Sequence, residues 1–65
     1  MPYFTDEERQ IMLWHAVRLE RAAEILRDPE TDGYEKLKPV RYSCDAADTA
    51  IYRLGTDAML RNEKK

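Results

Sequence analysis

The amino-acid sequence predicts an all-α protein, an antiparallel helical hairpin that associates with itself into a four-helix bundle. Two stretches with helical apolar spacing and capping residues flank a segment, 29–43, that contains both proline and glycine. The chain has only 65 residues, so one hairpin domain over residues 1–65 is expected. A single core of this size leaves close to zero net stability. Self-association is therefore expected to supply the rest.

The first helix is predicted over residues 6–28. Thr5 and Glu8 have capping-box spacing, and the acids that follow Thr5 favour the positive end of the helix dipole. No proline or glycine interrupts the helix before Pro29, and Arg27 lies in the last turn, where a cation is favoured. At the usual rise per residue this helix is about 34 Å long.

The connection predicted over residues 29–43 is long for a hairpin, since helix–helix loops usually take about two to eight residues. Asp32 and Glu35 have capping-box spacing, and Pro39 is expected to end any helix that starts there. One helical turn at about 33–38, in an otherwise partly ordered loop, is the interpretation of this segment.

The second helix is predicted over residues 44–62, with Ser43 as its N-cap. Gly55 inside it costs about 1 kcal/mol relative to alanine, which suggests a close contact at that point. Its apolar residues follow the narrow spacing of a coiled-coil seam and are mostly small, namely Cys44, Ala47, Ile51, Leu54 and Ala58.

The first helix has apolar residues on two sides. Its main stripe is formed by Ile11, Met12, His15, Leu19, Ala22, Ala23 and Leu26. Leu13 and Val17 instead fall on the charged side, with Trp14 beside them. One antiparallel helix cannot cover both sides, so a second chain is expected to cover the extra one. The predicted dimer interface consists of Leu13, Trp14, Val17, Ile51, Leu54 and Ala58, unless the outer residues are simply exposed.

Composition narrows the classes of protein to be considered. The net charge is −2 with both signs intermixed, which gives no strong nucleic-acid signal and no basic face for a membrane. No apolar run approaches a membrane span, and the acidic start is unlike a signal peptide, so a cytoplasmic location is the default. Cys44 is the only cysteine and His15 the only histidine, so neither a disulfide within the chain nor a metal or cofactor site is expected.

His15 and Cys44 are the two residues with potential chemistry. His15 lies at the centre of the apolar stripe, where a neutral, packed histidine with one hydrogen-bond partner is the commoner meaning. If the hairpin closes between residues 28 and 44, Asp57 lies level with it and is the expected partner. Cys44 at a helix N-terminus would be activated, but it lies about 20 Å along the axis from His15. The two could meet only across a subunit interface, and no catalytic residue is predicted.

Carboxylates offer a second kind of chemistry. Glu20, Glu24, Asp45 and Asp48 lie on neighbouring helices, where paired acids can hold Mg²⁺. The arrangement resembles the all-α nucleotide pyrophosphatases, which carry E-x-x-E and E-x-x-D on adjacent helices. The first spacing here is Glu20-x-x-x-Glu24 and the chain is short for that fold. A Mg²⁺-dependent nucleotide hydrolase is therefore the third hypothesis for function.

The first hypothesis is a small non-enzymatic, regulatory hairpin that acts as a homo-oligomer, most simply a dimer, and binds an unidentified protein partner. In size and architecture it is similar to the small accessory proteins of phages and plasmids, among them the two-helix dimer that regulates plasmid RNA pairing. The second hypothesis is a nucleotide- or anion-binding hairpin oligomer. Its ligand would be held by basic and aromatic residues of the loop, namely Tyr34, Lys36, Lys38, Arg41 and Tyr42.

Overall fold

The computed structural model describes residues 2–64, which form two α-helices packed antiparallel against each other. The first helix, α1, spans Asp6–Arg27, and the second, α2, spans Tyr34–Glu63. The predicted all-α hairpin is therefore confirmed.

The predicted start of α1 is also confirmed. Thr5 Oγ1 accepts a hydrogen bond from the Glu8 backbone N–H at 3.1 Å, and Glu8 Oε1 accepts one from the Thr5 backbone N–H at 2.8 Å. The two bonds form a complete capping box. At the other end Arg27 lies in the last turn, and Asp28 follows as the C-cap residue.

The predicted start of α2 is wrong, because the helix begins at Tyr34 rather than at 44 and runs through Pro39 without a break. Gly33 is the N-cap residue and makes no side-chain capping hydrogen bond. The capping roles expected of Asp32 and Ser43 are therefore also wrong. The connection between the helices shrinks to 28–33, so residues 34–43 are helical rather than part of a loop.

Packing against α1 explains why α2 continues through Pro39. A proline inside a helix removes one backbone hydrogen bond, here to the Glu35 carbonyl, and costs about 3 kcal/mol. The residues that follow compensate, because Val40 and Ser43 are buried and Pro39 lies with Ser43 beside Ala22. Burying a valine side chain is worth about 1.5–3 kcal/mol. Burial of Val40 therefore offsets much of the cost of the proline, and the helix continues through it.

The short connection has its own hydrogen bonds. Asp28 Oδ1 accepts from the Glu30 N–H at 2.9 Å, and Thr31 Oγ1 donates to the Ile25 carbonyl at 2.7 Å. Gly33 then adopts φ 87° and ψ 157°, a combination that is essentially restricted to glycine. This residue sets the direction in which the chain enters α2.

The open end of the hairpin is closed by Arg61 near the end of α2. Its guanidinium donates to both carboxylate oxygens of Glu8, at 2.8 and 3.1 Å, and to the Tyr3 carbonyl at 2.7 Å. The hydrogen bonds from Arg61 and from the Thr5 backbone hold the pKa of Glu8 at about 2. The same ion pair raises the pKa of Arg61.

The core between the helices is thin. Its buried apolar residues are Ala22, Val40, Ala47, Leu54 and Ala58, and no large side chain is fully buried in the described part of the chain. The hairpin measures 51 × 16 × 13 Å, so it is long and thin. The chain forms a single layer of secondary structure, whereas a domain usually has at least two.

Candidate interaction surfaces

The hairpin exposes more surface than a folded chain of its size usually does. Its accessible area is 5524 Å², against about 4,300 Å² expected for a globular monomer of this mass. Its radius of gyration is 15.2 Å, against about 11 Å for a compact chain of this length. The surplus of roughly 1,200 Å² exceeds the ~800 Å² that each partner contributes to an interface of standard size.

Part of this surface is an apolar groove of about 370 Å³ between α1 and α2. None of its lining residues is an acid, a lysine or an arginine. Ile51 at the groove is 63% exposed, although it is one of the largest apolar side chains there. The groove is lined by Phe4, Met12, His15, Ala16, Leu19, Ala47, Ala50, Ile51, Leu54 and Gly55.

Gly55 does not make the close contact that its position in the helix suggests. A Cβ atom added at this residue would meet no atom of α1 within 4 Å. The expectation of tight packing at Gly55 is therefore wrong for a single hairpin. The residue instead leaves a hollow on the groove side of α2.

His15 is packed, but not as the sequence predicts. Its Nδ1 atom is buried and has no hydrogen-bond partner among the described residues. Its ring lies edge-on to that of Trp14, with the ring centroids 4.9 Å apart. The predicted bond to Asp57 is wrong, because the earlier start of α2 shifts the register of the hairpin. Ile51 and Leu54 lie beside His15 instead.

A second groove between the helices, of about 640 Å³, has a different chemistry. It shares Ala50 and Leu54 with the apolar groove, but Asp45, Arg53 and Asp57 line it as well. Water solvates these charged groups well, whereas covering them without partners would be costly. This groove is therefore suited to remain open to solvent.

The outer side of α1 carries the apolar residues that α2 cannot reach. Leu13 and Trp14 are each 58% exposed, and Val17 is 49% exposed. The Arg18 guanidinium carbon lies 4.8 Å from the centre of a Trp14 ring, which is a cation–π contact. These three apolar residues are called the Trp14 patch below.

The other residues of the predicted dimer interface lie elsewhere. Leu54 and Ala58 are buried within the hairpin itself. Ile51 lines the apolar groove, away from the Trp14 patch. The structure thus divides the predicted set among the hairpin core, the groove and the outer side of α1.

The basic and aromatic residues predicted to lie in a loop are on the first turns of α2. Arg41 Nη1 donates to the Tyr34 hydroxyl at 2.6 Å, and Lys38 Nζ lies 5.9 Å from the centre of the Tyr34 ring. These three residues are called the Tyr34 cluster. Lys36 instead donates to a backbone carbonyl in the connection, and Tyr42 is 63% exposed. Three of the five predicted residues are thus brought together.

In residues 2–64 no group of three or more His, Cys, Asp or Glu side chains is placed to hold a metal ion. The acids singled out in the sequence, Glu20, Glu24, Asp45 and Asp48, form no such group. Cys44 lies in the middle of α2, and its side chain is exposed. The expected position at a helix N-terminus is therefore wrong.

Neither described helix has a stretch that is both long and apolar enough to cross a membrane. A search of protein-family models, of curated proteins and of solved structures finds no match to this chain.

Proposed function

We propose that this protein is a non-enzymatic binding module that acts as a homodimer. Two hairpins pack into a four-helix bundle, and an outer surface of that bundle binds another protein. The role is of the kind that small accessory proteins of phages and plasmids play, and the protein acts in the cytoplasm. The surplus of exposed surface, 5524 Å² against about 4,300 Å², is the observation that carries this proposal.

The composition of the core supports the dimer. Three of its five buried apolar residues are alanines, which contribute little apolar area. Ordering a chain costs about 1.5 kcal/mol per residue, so a core this thin leaves little net stability. A second layer of helices supplies the missing burial. A second copy of the chain can supply this layer, because it is present wherever the protein is made.

Sedimentation equilibrium tests the dimer directly. Over roughly 1–100 µM, a range that covers moderate to weak affinities, the mean mass should rise towards twice 7.7 kDa. A helical species that stays at 7.7 kDa throughout this range would contradict the proposal.

The Trp14 patch is the surface proposed for the protein partner. Tryptophan and arginine are the residue types most enriched among those that dominate binding energies, and Trp14 and Arg18 already lie in contact. Trp14→Ala should abolish capture of a specific protein from a lysate while the dimer persists in sedimentation. Leu60→Ala, a change at an exposed apolar residue of α2, serves as the control. Equal capture by all three proteins would contradict this role.

A second candidate function, binding of a nucleotide or another anion, is favoured by the Tyr34 cluster. Lys38 and Arg41 both approach the exposed Tyr34 ring, which offers two cations beside a stacking surface. The ion pair of Lys38 with Glu35, at 3.0 Å, competes with such a ligand.

Thermal melts with added nucleotides test this second candidate. Binding should raise the melting temperature, and Lys38→Ala with Arg41→Ala should remove the increase. Lys36→Ala should keep it, because Lys36 lies outside the cluster. If neither a nucleotide nor inorganic phosphate changes the melting temperature of the wild-type protein, the second candidate is refuted.

A further inference from the structure

We infer that the apolar groove, rather than the Trp14 patch, is the surface on which the second copy of the chain packs. This inference rests on the proposed homodimer and specifies its contact surface. It departs from the interface predicted from the sequence, which combined the outer residues of α1 with residues of α2. The separation of these residues in the structure requires a choice between the two surfaces.

Continuity with the core is the first argument for the groove. Ala47 and Leu54 are core residues, at 4% and 8% exposure, and both also line the groove. The groove is therefore the open side of the hairpin's own core. A surface of this kind has to be covered whenever the chain is folded, and a partner that is present only occasionally cannot do that. A second copy of the chain can.

The chemistry of the surfaces is the second argument. The groove is lined without acids, lysines or arginines, so its burial strips water from no charged group. The other groove contains Asp45, Arg53 and Asp57. At the Trp14 patch, Arg18 already covers part of the indole ring. Of these surfaces, the apolar groove is the one that gains most from being covered.

The shape of the groove fits a two-fold symmetric contact. In such a contact a projection on each copy meets a hollow on the other. Ile51 projects, with 63% of its surface exposed, while Gly55 and Ala16 leave room for an approaching side chain. The open space at Gly55 is then filled by the second copy, which gives this glycine a structural role.

The exposed area is the fourth argument. The surplus of roughly 1,200 Å² per chain is larger than the ~800 Å² per partner of a standard interface and lies within the range of obligate dimers. A short peptide laid in a groove of about 370 Å³ would leave much of this surplus uncovered. A second hairpin, which is 51 Å long and covers both helices, has the required size.

A matched pair of arginine substitutions tests the inference by sedimentation equilibrium. Ile51→Arg and Val17→Arg replace β-branched residues that are both exposed in a single hairpin, at 63% and 49%, so neither disturbs the hairpin core. Ile51→Arg should raise the dissociation constant of the dimer about a hundredfold or more. The two-fold contact would bury two new charges, one from each copy. Val17→Arg should change the dissociation constant less than about threefold, as expected outside an interface.

The outcomes separate this inference from the proposed dimer. If the wild type is a dimer that only Val17→Arg dissociates, or that neither variant dissociates, the groove is not the contact surface while the dimer stands. If the wild type is a monomer, both the inference and the proposed dimer are wrong.

Alkylation of a single cysteine provides a second measurement that needs no bulky substitution. Gly55→Cys and Val17→Cys are each made together with Cys44→Ser, and the rate of alkylation is followed as the protein concentration rises. The thiol at position 55 should become protected as dimers form, whereas the thiol at position 17 should stay reactive. Protection at position 17 alone would overturn the inference.

Discussion

Gly33 directs the chain into α2, and replacing it with alanine tests how firmly that geometry is required. Its φ of 87° and ψ of 157° lie in a region where an L-residue costs about 1–3 kcal/mol. An added Cβ would meet no atom within 4 Å, so the cost is backbone strain alone. Since 1 kcal/mol shifts the melting temperature of a small domain by about 4–8 °C, Gly33→Ala should lower it by roughly 5–20 °C.

Thermal unfolding followed by helical circular dichroism, at one protein concentration, measures this effect. Asp32→Ala changes the exposed neighbour of Gly33 and should leave the melting temperature nearly unchanged. The chain is short enough for chemical synthesis, so Gly33→D-Ala is a second control. A D-residue favours positive φ, and this variant should melt at or above the wild-type temperature. A Gly33→Ala protein that melts with the wild type would refute the strain assigned to this turn.

Three further substitutions test the ion pair at the open end, the proline in α2 and the half-buried histidine. The pKa of Glu8 is lowered from 4.5 to about 2, so the stabilisation by its carboxylate is full above pH 4.5 and is lost as the pH falls towards 2. Glu8→Gln should therefore lower the melting temperature at pH 7 and close the gap to the wild type near pH 2; a gap that is the same at every pH would contradict the pairing. Pro39→Ala should raise the free energy of unfolding in urea by about 1–3 kcal/mol, because it restores the donor to the Glu35 carbonyl; no increase would refute this. His15→Leu should stabilise the protein by about 1 kcal/mol, since it removes a buried nitrogen without a partner; a lower melting temperature would show that His15 is satisfied in the assembled protein.

The sequence predicts α1 well because the signals that define this helix are local. The capping box joins Thr5 and Glu8, which are only three residues apart, so no tertiary contact is needed to form it. The start of α2 is different. The local rule for Pro39 predicts a break, and only the burial of Val40 and Ser43 against α1 overrides that rule. Gly33 is the residue in the sequence that indicates the observed start of α2, because glycine is an acceptable N-cap residue.

The surfaces were harder to predict because they depend on the register of the two helices. A start of α2 ten residues earlier moves Asp57 away from His15 and brings Ile51 and Leu54 beside it. The apolar groove therefore could not be assembled from the sequence, although six of its ten lining residues belong to the two predicted apolar stripes. The exposure of Trp14 follows more directly, since helical periodicity alone turns it away from the main stripe.

The central claim is that a second copy of the chain completes this core. Its most direct test is how the melting temperature depends on protein concentration. When a dimer unfolds to separate chains, mass action makes the native state more stable as the concentration rises. A hundredfold increase in protein adds about 2.7 kcal/mol, which should raise the melting temperature by roughly 5–15 °C. A melting temperature that stays constant over that range, with cooperative loss of helix, would mean that the single hairpin is stable alone and would contradict the account.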